Sequence, residues 1–520
     1  MTLAPQRPAR WIKVLDQTRC IGCHACTTAC KSENSVPLGV TRTYVKSVDV
    51  GVFPHVRRAF QVTRCNQCED APCVAACPTR AMYRRPDGIV DFDKEICIGC
   101  KACMAACPYD AIFINPEDKS AEKCNFCAHR LEVGLEPACV TVCPTEAILV
   151  GDLNDPSTAV ARVVQREAVS VRRPEKKTRP GLFYKGAHQA TLDPLGARRP
   201  DGELFAWANQ GDPGDRQRVR GGHPHAANSS AAALLSYDIP HHSPWGWRVS
   251  LYTWTKSIAA GALGVAVVLC YLGVLSFAGA LVRYVAPSVA LGFLALTGGL
   301  LIADLKHPER FYLIFTRHHW RSWLVRGSFV IAFYGAAASL FLIVGILGGT
   351  GALSRGAADH LEAIVGGFAL AGALGTACYT AFLFAQARAR DLWQSPLLAP
   401  HLAIQAALLG AASLLAFAVG LGTGRHAVLG IEVALCAAAI AHVLVVAVEL
   451  TLAHPTAHAH LAAEEMWRGR FALFFWAGLL LAALSATAPL SGVAAVPLAL
   501  IGLLGYEHAY VQAGQSVPLA

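Results

Sequence analysis

The sequence contains few charged residues for its length. Asp, Glu, Lys and Arg make up 16% of its 520 residues, whereas soluble globular proteins contain about 25%. Hydrophobic residues reach 54%, which excludes a disordered chain and an ordinary soluble enzyme and predicts several membrane spans. The chain is also too long for a secreted disulfide scaffold, so its 19 cysteines need another explanation.

The N-terminal region lacks a recognisable export signal. Its first twenty residues contain neither the hydrophobic segment of a signal peptide nor a twin-arginine pair ahead of one. Long apolar segments begin only after residue 250. We therefore predict three parts, a cysteine-rich domain at 1–150, a basic Pro- and Gly-rich linker or extension at 151–248, and a membrane domain at 249–520.

The basic linker could bind nucleic acid or an anionic membrane surface. Its position between two domains favours a simpler interpretation, in which it lies over the cysteine-rich domain or contacts a protein partner, and no nucleic acid is expected. Four irregularly spaced histidines are interpreted as solvated loop residues and not as metal ligands: His223, His225, His241 and His242.

Sixteen of the cysteines form four groups of four. The first and third groups have the spacing C-x2-C-x2-C-x3-C, which is typical of bacterial ferredoxins, where three thiolates bind one [4Fe–4S] cluster and the fourth binds a second cluster. The other two groups are looser variants, C-x2-C-x4-C-x3-C and C-x2-C-x11-C-x3-C. The groups are Cys20, Cys23, Cys26, Cys30; Cys65, Cys68, Cys73, Cys77; Cys97, Cys100, Cys103, Cys107; and Cys124, Cys127, Cys139, Cys143.

Sixteen thiolates are the number that four [4Fe–4S] clusters require. We therefore predict an α+β domain in which a bacterial ferredoxin-like fold is duplicated. Disulfides and zinc knuckles are the alternatives, because paired C-x2-C also suits tetrahedral zinc. Zinc does not explain a C-x2-C-x2-C triplet followed by Cys-Pro. Because cysteine would bind every iron, no position is left for substrate, and the domain is expected to conduct electrons.

The stretches CIGCHACTTAC, CNQCEDAPCVAACP, CIGCKACMAACP and CNFCAHRLEVGLEPACVTVCP resemble the electron-transfer subunit of the dimethyl sulfoxide reductase family of molybdenum and tungsten enzymes. The resemblance implies that the ligand sets interlock, with the first group sharing clusters with the fourth and the second with the third. The implied sets are Cys20, Cys23, Cys26, Cys143; Cys124, Cys127, Cys139, Cys30; Cys65, Cys68, Cys73, Cys107; and Cys97, Cys100, Cys103, Cys77.

The C-terminal half contains eight apolar segments long enough for membrane helices, which need about 20 residues each. They predict an all-α bundle of eight transmembrane helices, in which small residues allow close packing. The segments are 256–282, 285–304, 327–349, 361–386, 400–422, 428–452, 470–488 and 490–508.

Polar strings in this half resemble the polysulfide-reductase-type (NrfD-like) membrane subunit, which binds quinone. They are WGWRVSLYTWTKSIAAG at the first span, DLKHPERF starting at Asp304, and AFLFAQARARDLWQSPLLAP after Tyr379. The resemblance implies a quinone pocket among the first helices on the iron–sulfur side, with Tyr379 reaching the quinone. The residues that offer hydrogen-bond donors at the first span are His242, Trp245, Tyr252 and Lys256.

Reduction of a quinone consumes two electrons and two protons, so buried titratable groups must deliver protons. Ionisable residues inside spans are costly and are functional candidates by default. The candidates are Tyr379, Asp304, Lys256, His442, Glu449 and Glu432. His442 and Glu449 are seven residues apart and share a helix face. The alternative for each is a structural hydrogen bond or a helix end in the headgroup region.

Basic residues are unevenly distributed between the predicted loops. Nine lie on the iron–sulfur side: Lys306, Arg310, Arg317, Arg321, Arg326, Arg388, Arg390, Arg468 and Arg470. Three lie on the other: Arg283, Arg355 and Arg425. The positive-inside rule therefore predicts a multi-pass protein of the bacterial inner membrane with its iron–sulfur domain in the cytoplasm. The periplasmic face is the alternative, as in well-known relatives.

Together these features predict a membrane subunit that passes electrons through four [4Fe–4S] clusters between a catalytic partner and the quinone pool, either menaquinone or ubiquinone. The partner implied by resemblance is a molybdopterin oxidoreductase, which would carry out the substrate half-reaction. The alternatives are a hydrogenase, a heterodisulfide-reductase-like unit or a cytochrome as partner, or a redox-coupled ion translocator.

Overall fold

The computed structural model describes residues 9–198 and 232–520. The intervening part of the predicted linker, including His223 and His225, lies outside the described residues. Short strands and helices alternate up to residue 198, and long helices follow residue 246. This change follows the composition, because cysteine, glycine and proline interrupt the first part and apolar residues dominate the second.

The N-terminal part contains small sheets. One sheet has the strand order β8-β1-β10-β9, a second β11-β2-β3, and two hairpins are formed by β4 with β5 and by β6 with β7. The strands are β1 Trp11–Asp16, β2 Thr43–Val52, β3 His55–Arg64, β4 Met82–Arg84, β5 Val90–Phe92, β6 Ile112–Ile114, β7 Ala121–Lys123, β8 Ile148–Asp152, β9 Val169–Ser170, β10 Leu182–Lys185 and β11 Leu234–Tyr237.

Short helices carry cysteines in this ferredoxin-like part. Both α1 and α3 begin after a residue in the left-handed region, His24 with φ 59° and Lys101 with φ 62°. These residues occupy equivalent positions in the first and third cysteine groups. The helices are α1 Ala25–Glu33, α2 Pro72–Ala76, α3 Ala102–Ala106, α4 Ala128–Leu131, α5 Ala138–Thr141, α6 Ala159–Arg166 and α7 Gln189–Leu192.

Residues beyond 150 complete the first sheet. Strand β10 pairs in parallel with β1, and Lys13 lies opposite Leu182 in that register. Strand β9 pairs with the other edge of β10, and β11 pairs with β2 in the second sheet. Parts of the predicted linker or extension are therefore built into the cysteine-rich domain.

The C-terminal part is helical. Its helices are α8 Trp247–Tyr271, α9 Ala286–Asp304, α10 Leu313–Thr316, α11 Trp323–Gly349, α12 Arg355–Gln386, α13 Leu398–Gly420, α14 Arg425–Thr451, α15 Ala457–Trp467, α16 Ala472–Leu484, α17 Ala488–Ser491 and α18 Ala495–Gly514. A π-helical turn, Leu281–Val285, precedes α9. By length and composition, seven helical segments of the described chain can cross a membrane, and the last of them spans Ala472–Gly514.

The last apolar segment is not one straight helix. Gly492 has a φ of 58°, a left-handed conformation that glycine adopts without strain. On either side of this break, α16 and α18 pack against each other so tightly that a Cβ atom on Gly478 would lie 2.7 Å from the carbonyl oxygen of Gly502. Glycine is therefore required where the two helices cross.

The two halves of the chain are joined by the connection between α9 and α11. In that connection, Arg310 Nη1 donates to the carbonyl of Lys94 at 2.9 Å, and the Ser322 hydroxyl donates to the carbonyl of Ala76 at 2.9 Å. Gly99 fits against this connection because a Cβ atom there would lie 2.4 Å from the Cβ atom of Lys306. The third cysteine group is thus held directly on the helical half.

Candidate functional site

The structure gathers the sixteen cysteines into four places. Two of these places are cavities. One cavity is lined by Cys20, Cys23, Cys26 and Cys143. The other is lined by Cys77, Cys97, Cys100 and Cys103. Each combination joins three cysteines of one sequence group to one cysteine of another, as the resemblance implies.

The remaining cysteines form two more buried sets. Burial, together with the neighbouring thiols of Cys124, Cys139 and Cys127, raises the pKa of the Cys30 thiol to about 12. Burial also raises the pKa of Cys73, whose neighbours include the thiols of Cys107, Cys65 and Cys68. Metal binding to such thiols releases protons, because only thiolates ligate.

Backbone N–H groups donate to cysteine sulfurs, from Met82 to Cys77 Sγ at 3.3 Å and from Ala121 to Cys97 Sγ at 3.4 Å. Such bonds stabilise anionic cluster sulfurs. These donors therefore fit thiolates that bind an iron–sulfur cluster.

Cys139 differs from the other buried cysteines because cations surround it. Arg64 Nη1 donates to its sulfur at 3.0 Å and Lys13 Nζ at 3.7 Å. Burial alone would raise the pKa of Cys139, but Lys13 and Arg64 outweigh it and lower the pKa to about 7. Neither cation was predicted from the sequence. The available signals were that Arg64 directly precedes Cys65 and that Lys13 interrupts the apolar strand WIKVLD.

Tyr379 lies in a buried polar group between α8, α11 and α12. Its side chain is buried, and its hydroxyl has no hydrogen-bond partner in the described structure. A Cβ atom on Gly327 would lie 2.4 Å from the Tyr379 ring, so only glycine leaves space for it. Lys256 Nζ lies 5.6 Å from the centre of that ring and donates to the carbonyl of Ala377 at 2.7 Å.

Several hydroxyls close to Tyr379 are also buried without partners, those of Tyr252, Thr376 and Thr380. Buried polar groups usually find partners, so each exception calls for an explanation such as a ligand or water. Trp245 is also buried, and its indole N–H donates to the carbonyl of Cys100 at 3.2 Å. Trp245 therefore joins the start of α8, the helix that carries Tyr252 and Lys256, to the third cysteine group.

The histidines at the start of this region have different environments. His242 is half-buried. His241 was expected to be solvated, and this expectation was wrong, because the side chain is buried and bonds to Asp110 at 2.6 Å and Asp238 at 3.2 Å. Burial works to lower the pKa of His241, but the two carboxylates raise it to about 9. The reason for the error is that Asp110, which makes the shorter of the two contacts, comes from a distant position in the sequence.

Asp304 lies at the junction between the two halves. Its carboxylate forms an ion pair with Lys101 Nζ at 3.0 Å, and Lys101 lies between Cys100 and Cys103 in the third cysteine group. Glu432 forms an ion pair with Arg425 at 3.2 Å near the start of α14. Both acids therefore have cationic partners.

His442 and Glu449 belong to a second buried group, apart from Tyr379. His442 Nδ1 lies 2.9 Å from His401 Nε2, and His401 Nδ1 lies 3.4 Å from Glu449 Oε2. The hydroxyl of Tyr506 donates to Glu449 at 3.4 Å. Glu449 and Tyr506 also line a cavity beside the connections that follow α12 and α14.

Glu507 is a further candidate site residue that was not predicted from the sequence. It accepts a hydrogen bond from Thr253 at 3.1 Å and lies within electrostatic range of Lys256. The predicted last span ended at residue 508, which made Glu507 a helix end, but α18 continues to Gly514. The extra length places this carboxylate inside the bundle. His401 was missed because it stood at the edge of a predicted span.

Comparison with known proteins divides the chain in the same way. Residues 56–153 match the family model described as 4Fe-4S dicluster domain. Residues 237–498, half of the chain, match the model described as Polysulphide reductase, NrfD.

Three curated proteins resemble the N-terminal part. A tetrathionate reductase subunit of Salmonella typhimurium is 44% identical over 193 residues, covering 36% of this chain and 77% of that protein. A polysulfide reductase component of Wolinella succinogenes is 44% identical, covering 32% and 90%. A putative dimethyl sulfoxide reductase iron-sulfur subunit of Halobacterium salinarum is 38% identical, covering 37% and 84%.

Proposed function

This protein belongs to the polysulphide reductase NrfD family and carries a 4Fe-4S dicluster domain in the same polypeptide, and from this premise we propose that it links a catalytic partner to the quinone pool. It is a multi-pass membrane protein that transfers electrons. The substrate half-reaction takes place on the partner, and the quinone half-reaction takes place on this chain.

The sixteen cysteines hold four [4Fe–4S] clusters in the interlocked sets. Such clusters, when bound, supply one-electron transfer. The set of Cys20, Cys23, Cys26 and Cys143 exchanges electrons with the partner, because Cys23 is exposed and Cys20 and Cys143 are half-buried. The set that includes Cys100 exchanges electrons with the quinone, because this cysteine lies beside the helical half.

The proposal rests on the contact between Cys100 and Trp245. The indole of Trp245 donates to the Cys100 carbonyl at 3.2 Å. Trp245, Tyr252 and Tyr379 share one continuous buried core with Ala105 of the third cysteine group. The third cysteine group and the buried hydroxyls thus belong to one packed core, which supports electron transfer between a cluster and a substrate bound there.

Tyr379 and Lys256 are assigned to the quinone site. The free hydroxyl of Tyr379 can donate a hydrogen bond to a quinone oxygen, and the buried ammonium group of Lys256 stabilises negative charge that develops there. Glu507 lies within electrostatic range of Lys256 and offers a proton. His442 and Glu449 are assigned to proton delivery through His401 and Tyr506, because all of these groups are buried or line the adjacent cavity. Asp304 supports the junction.

Eight membrane crossings would fit the positions of the first and last helices of the membrane half. Helix α8 begins two residues after Trp245, and Gln515, which follows α18, accepts a hydrogen bond from the Trp245 backbone at 3.1 Å. Both ends therefore lie on the iron–sulfur side. The number of crossings is even if α16 and α17 together cross the membrane once and α18 crosses it once. The loop charges favour the cytoplasm for this side. The three parts are assigned as 1–150, 151–248 and 249–520, with the middle part an extension of the first.

The partner is a molybdopterin oxidoreductase. This assignment is supported by the relatives, whose names place them in tetrathionate, polysulfide and dimethyl sulfoxide reductases. Purification of the membrane complex with mild detergent tests it. Bound pterin with molybdenum or tungsten is expected in the copurifying subunit, whereas covalent haem or nickel would indicate a cytochrome or a hydrogenase. Zinc without acid-labile sulfide would overturn the whole proposal.

A redox-coupled ion translocator is the second candidate. It is favoured by three titratable residues along one helix, α14, in which Glu432 is buried near the start, His442 is buried further along, and Glu449 lies near the end. Proteoliposomes containing the complex distinguish the two functions. Proton movement beyond that consumed or released by the quinone itself indicates translocation, and its absence indicates a quinone reaction alone.

A further inference from the structure

Two buried cations lie against one cysteine sulfur in the N-terminal domain. Arg64 Nη1 is 3.0 Å and Lys13 Nζ is 3.7 Å from Cys139 Sγ. Arg64 is 2% exposed and Lys13 is 1% exposed. Arg64 ends β3 and Lys13 lies within β1, so the fold, and not local sequence, brings the two cations together.

Neither cation is neutralised by a carboxylate. Over residues 9–198 and 232–520, Lys13 and Arg64 form no ion pair with Asp or Glu, and Arg64 Nε and Nη2 have no hydrogen-bond partner. Arg42 shows the contrast, because it is also buried but pairs with Glu122 at 2.7 Å. Burial of an unpaired charge is strongly unfavourable. Arg64 and Lys13 therefore require an anionic group beside them.

Resting on the proposed four-cluster function, we propose that Arg64 and Lys13 raise the reduction potential of the cluster held by Cys30, Cys124, Cys127 and Cys139, so that it accepts an electron before the others. Reduction adds one electron to a group that is already negative. Fixed cations and N–H···S bonds stabilise the more negative form more strongly, which raises the potential. The electron comes from the reductant, and no covalent bond changes.

Asn34 supplies a hydrogen-bond donor to two other sulfurs of the set. Its Nδ2 atom lies 3.7 Å from the sulfur of Cys30 and 3.7 Å from the sulfur of Cys127. The ammonium group of Lys13 also lies 4.3 Å from the centre of the Phe126 ring, which holds it in place. Donors thus face three of the four sulfurs.

The other sets have weaker compensation. Cys77 and Cys97 accept backbone N–H bonds, and Cys77 also contacts the Thr79 hydroxyl. Lys101, the cation next to Cys100, is neutralised by Asp304.

The set that contains Cys23 is partly exposed, so water screens nearby charges. Lys123 is buried near Cys65 and Cys73, but its ammonium group donates to the backbone carbonyls of Val90 and Cys124. Among the described residues, Cys139 is the cysteine whose sulfur accepts hydrogen bonds from cations.

A redox titration of the full-length protein, followed by electron paramagnetic resonance, tests the proposal. The Cys127→Ser variant first identifies the signal of this cluster. Arg64→Gln is expected to shift its midpoint to lower potential and leave the other three midpoints unchanged. Lys13→Gln shifts it in the same direction but less, because its contact is longer. Arg64→Lys, which keeps the charge, shifts it less than Arg64→Gln.

Arg58→Gln is the matched control. Arg58 lies on the same strand, but its side chain is 55% exposed and pairs with Asp49, so all four midpoints should stay unchanged. Iron and acid-labile sulfide are measured in each variant. If Arg64→Gln prevents assembly of the cluster, Arg64→Lys and Lys13→Gln decide the question.

Two results would overturn this inference: unshifted midpoints in the assembled Arg64 and Lys13 variants, or equal shifts in all four clusters. Absence of iron and sulfide from the unmodified protein would instead contradict the proposed four-cluster function. The two failures are therefore distinguishable.

Discussion

Lys101 Nζ and Asp304 Oδ2 form a 3.0 Å ion pair that joins a cysteine-bearing loop to the end of α9. Both side chains are mostly buried, so water screens the pair only weakly. The loop between Cys100 and Cys103 is therefore fixed relative to the helix that precedes the connection to α11. This pair couples the position of one cysteine set to the membrane half.

Removal of the charge in Asp304→Asn leaves Lys101 without its partner. We expect a loss of about 1–3 kcal/mol in the stability of the junction, and slower reoxidation of the clusters by quinone because the cysteine set that includes Cys100 is less firmly held. Thermal unfolding and stopped-flow absorbance measure the two effects. Glu136→Gln, a change at an exposed position of the cysteine-rich domain away from this junction, should leave both unchanged. Equal behaviour of the two variants would contradict a coupling role.

Tyr379→Phe removes only the hydroxyl that lacks a partner. We expect quinone turnover to fall at least tenfold, while stability and reduction of the clusters by dithionite remain normal. Tyr271→Phe is the control, because its hydroxyl donates to the carbonyl of Ala363 at 2.6 Å, outside this polar group. Unaltered quinone kinetics in Tyr379→Phe would remove this residue from the site.

Cys107→Ser tests the interlocked cysteine sets. Although Cys107 belongs to the third sequence group, its variant should damage the cluster of Cys65, Cys68 and Cys73 and spare the one that begins at Cys97. Electron paramagnetic resonance spectra of single-cysteine variants separate these signals. Cys436→Ser, in an apolar helix, should leave all signals intact. Loss of the Cys97 signal instead would refute the interlocked assignment.

Because His241 pairs with Asp110 and Asp238, we expect the stability of the fold to fall at alkaline pH. The carboxylates raise the pKa of His241 to about 9, although burial opposes them, whereas an unfolded histidine has a pKa of about 6.5. The contribution is therefore full below the unfolded pKa and is lost as pH rises through about 9. Thermal unfolding from pH 6 to 10 measures it. His241→Gln should flatten this dependence, and an unchanged slope would contradict it.

Cysteine spacing and apolar segments were enough to predict a ferredoxin-like domain followed by membrane helices. The spacing is informative because cluster ligands must fall in tight loops. The environment of the ligands was not predictable, since Arg64 and Lys13 reach Cys139 from separate strands. The role of a buried acid also depends on partners distant in sequence, as Asp304 with Lys101 shows. Glu507 was not predicted because α18 continues beyond the apolar segment, which buries this residue inside the bundle.

The most direct test of the central claim follows electrons from the clusters to quinone. Full-length protein in liposomes is reduced with dithionite, freed of excess reductant and mixed anaerobically with menaquinone or ubiquinone analogues while cluster absorbance is recorded. The account predicts that all four clusters are reoxidised as quinol forms, and that Tyr379→Phe slows this step. Clusters that stay reduced in the presence of quinone would contradict it.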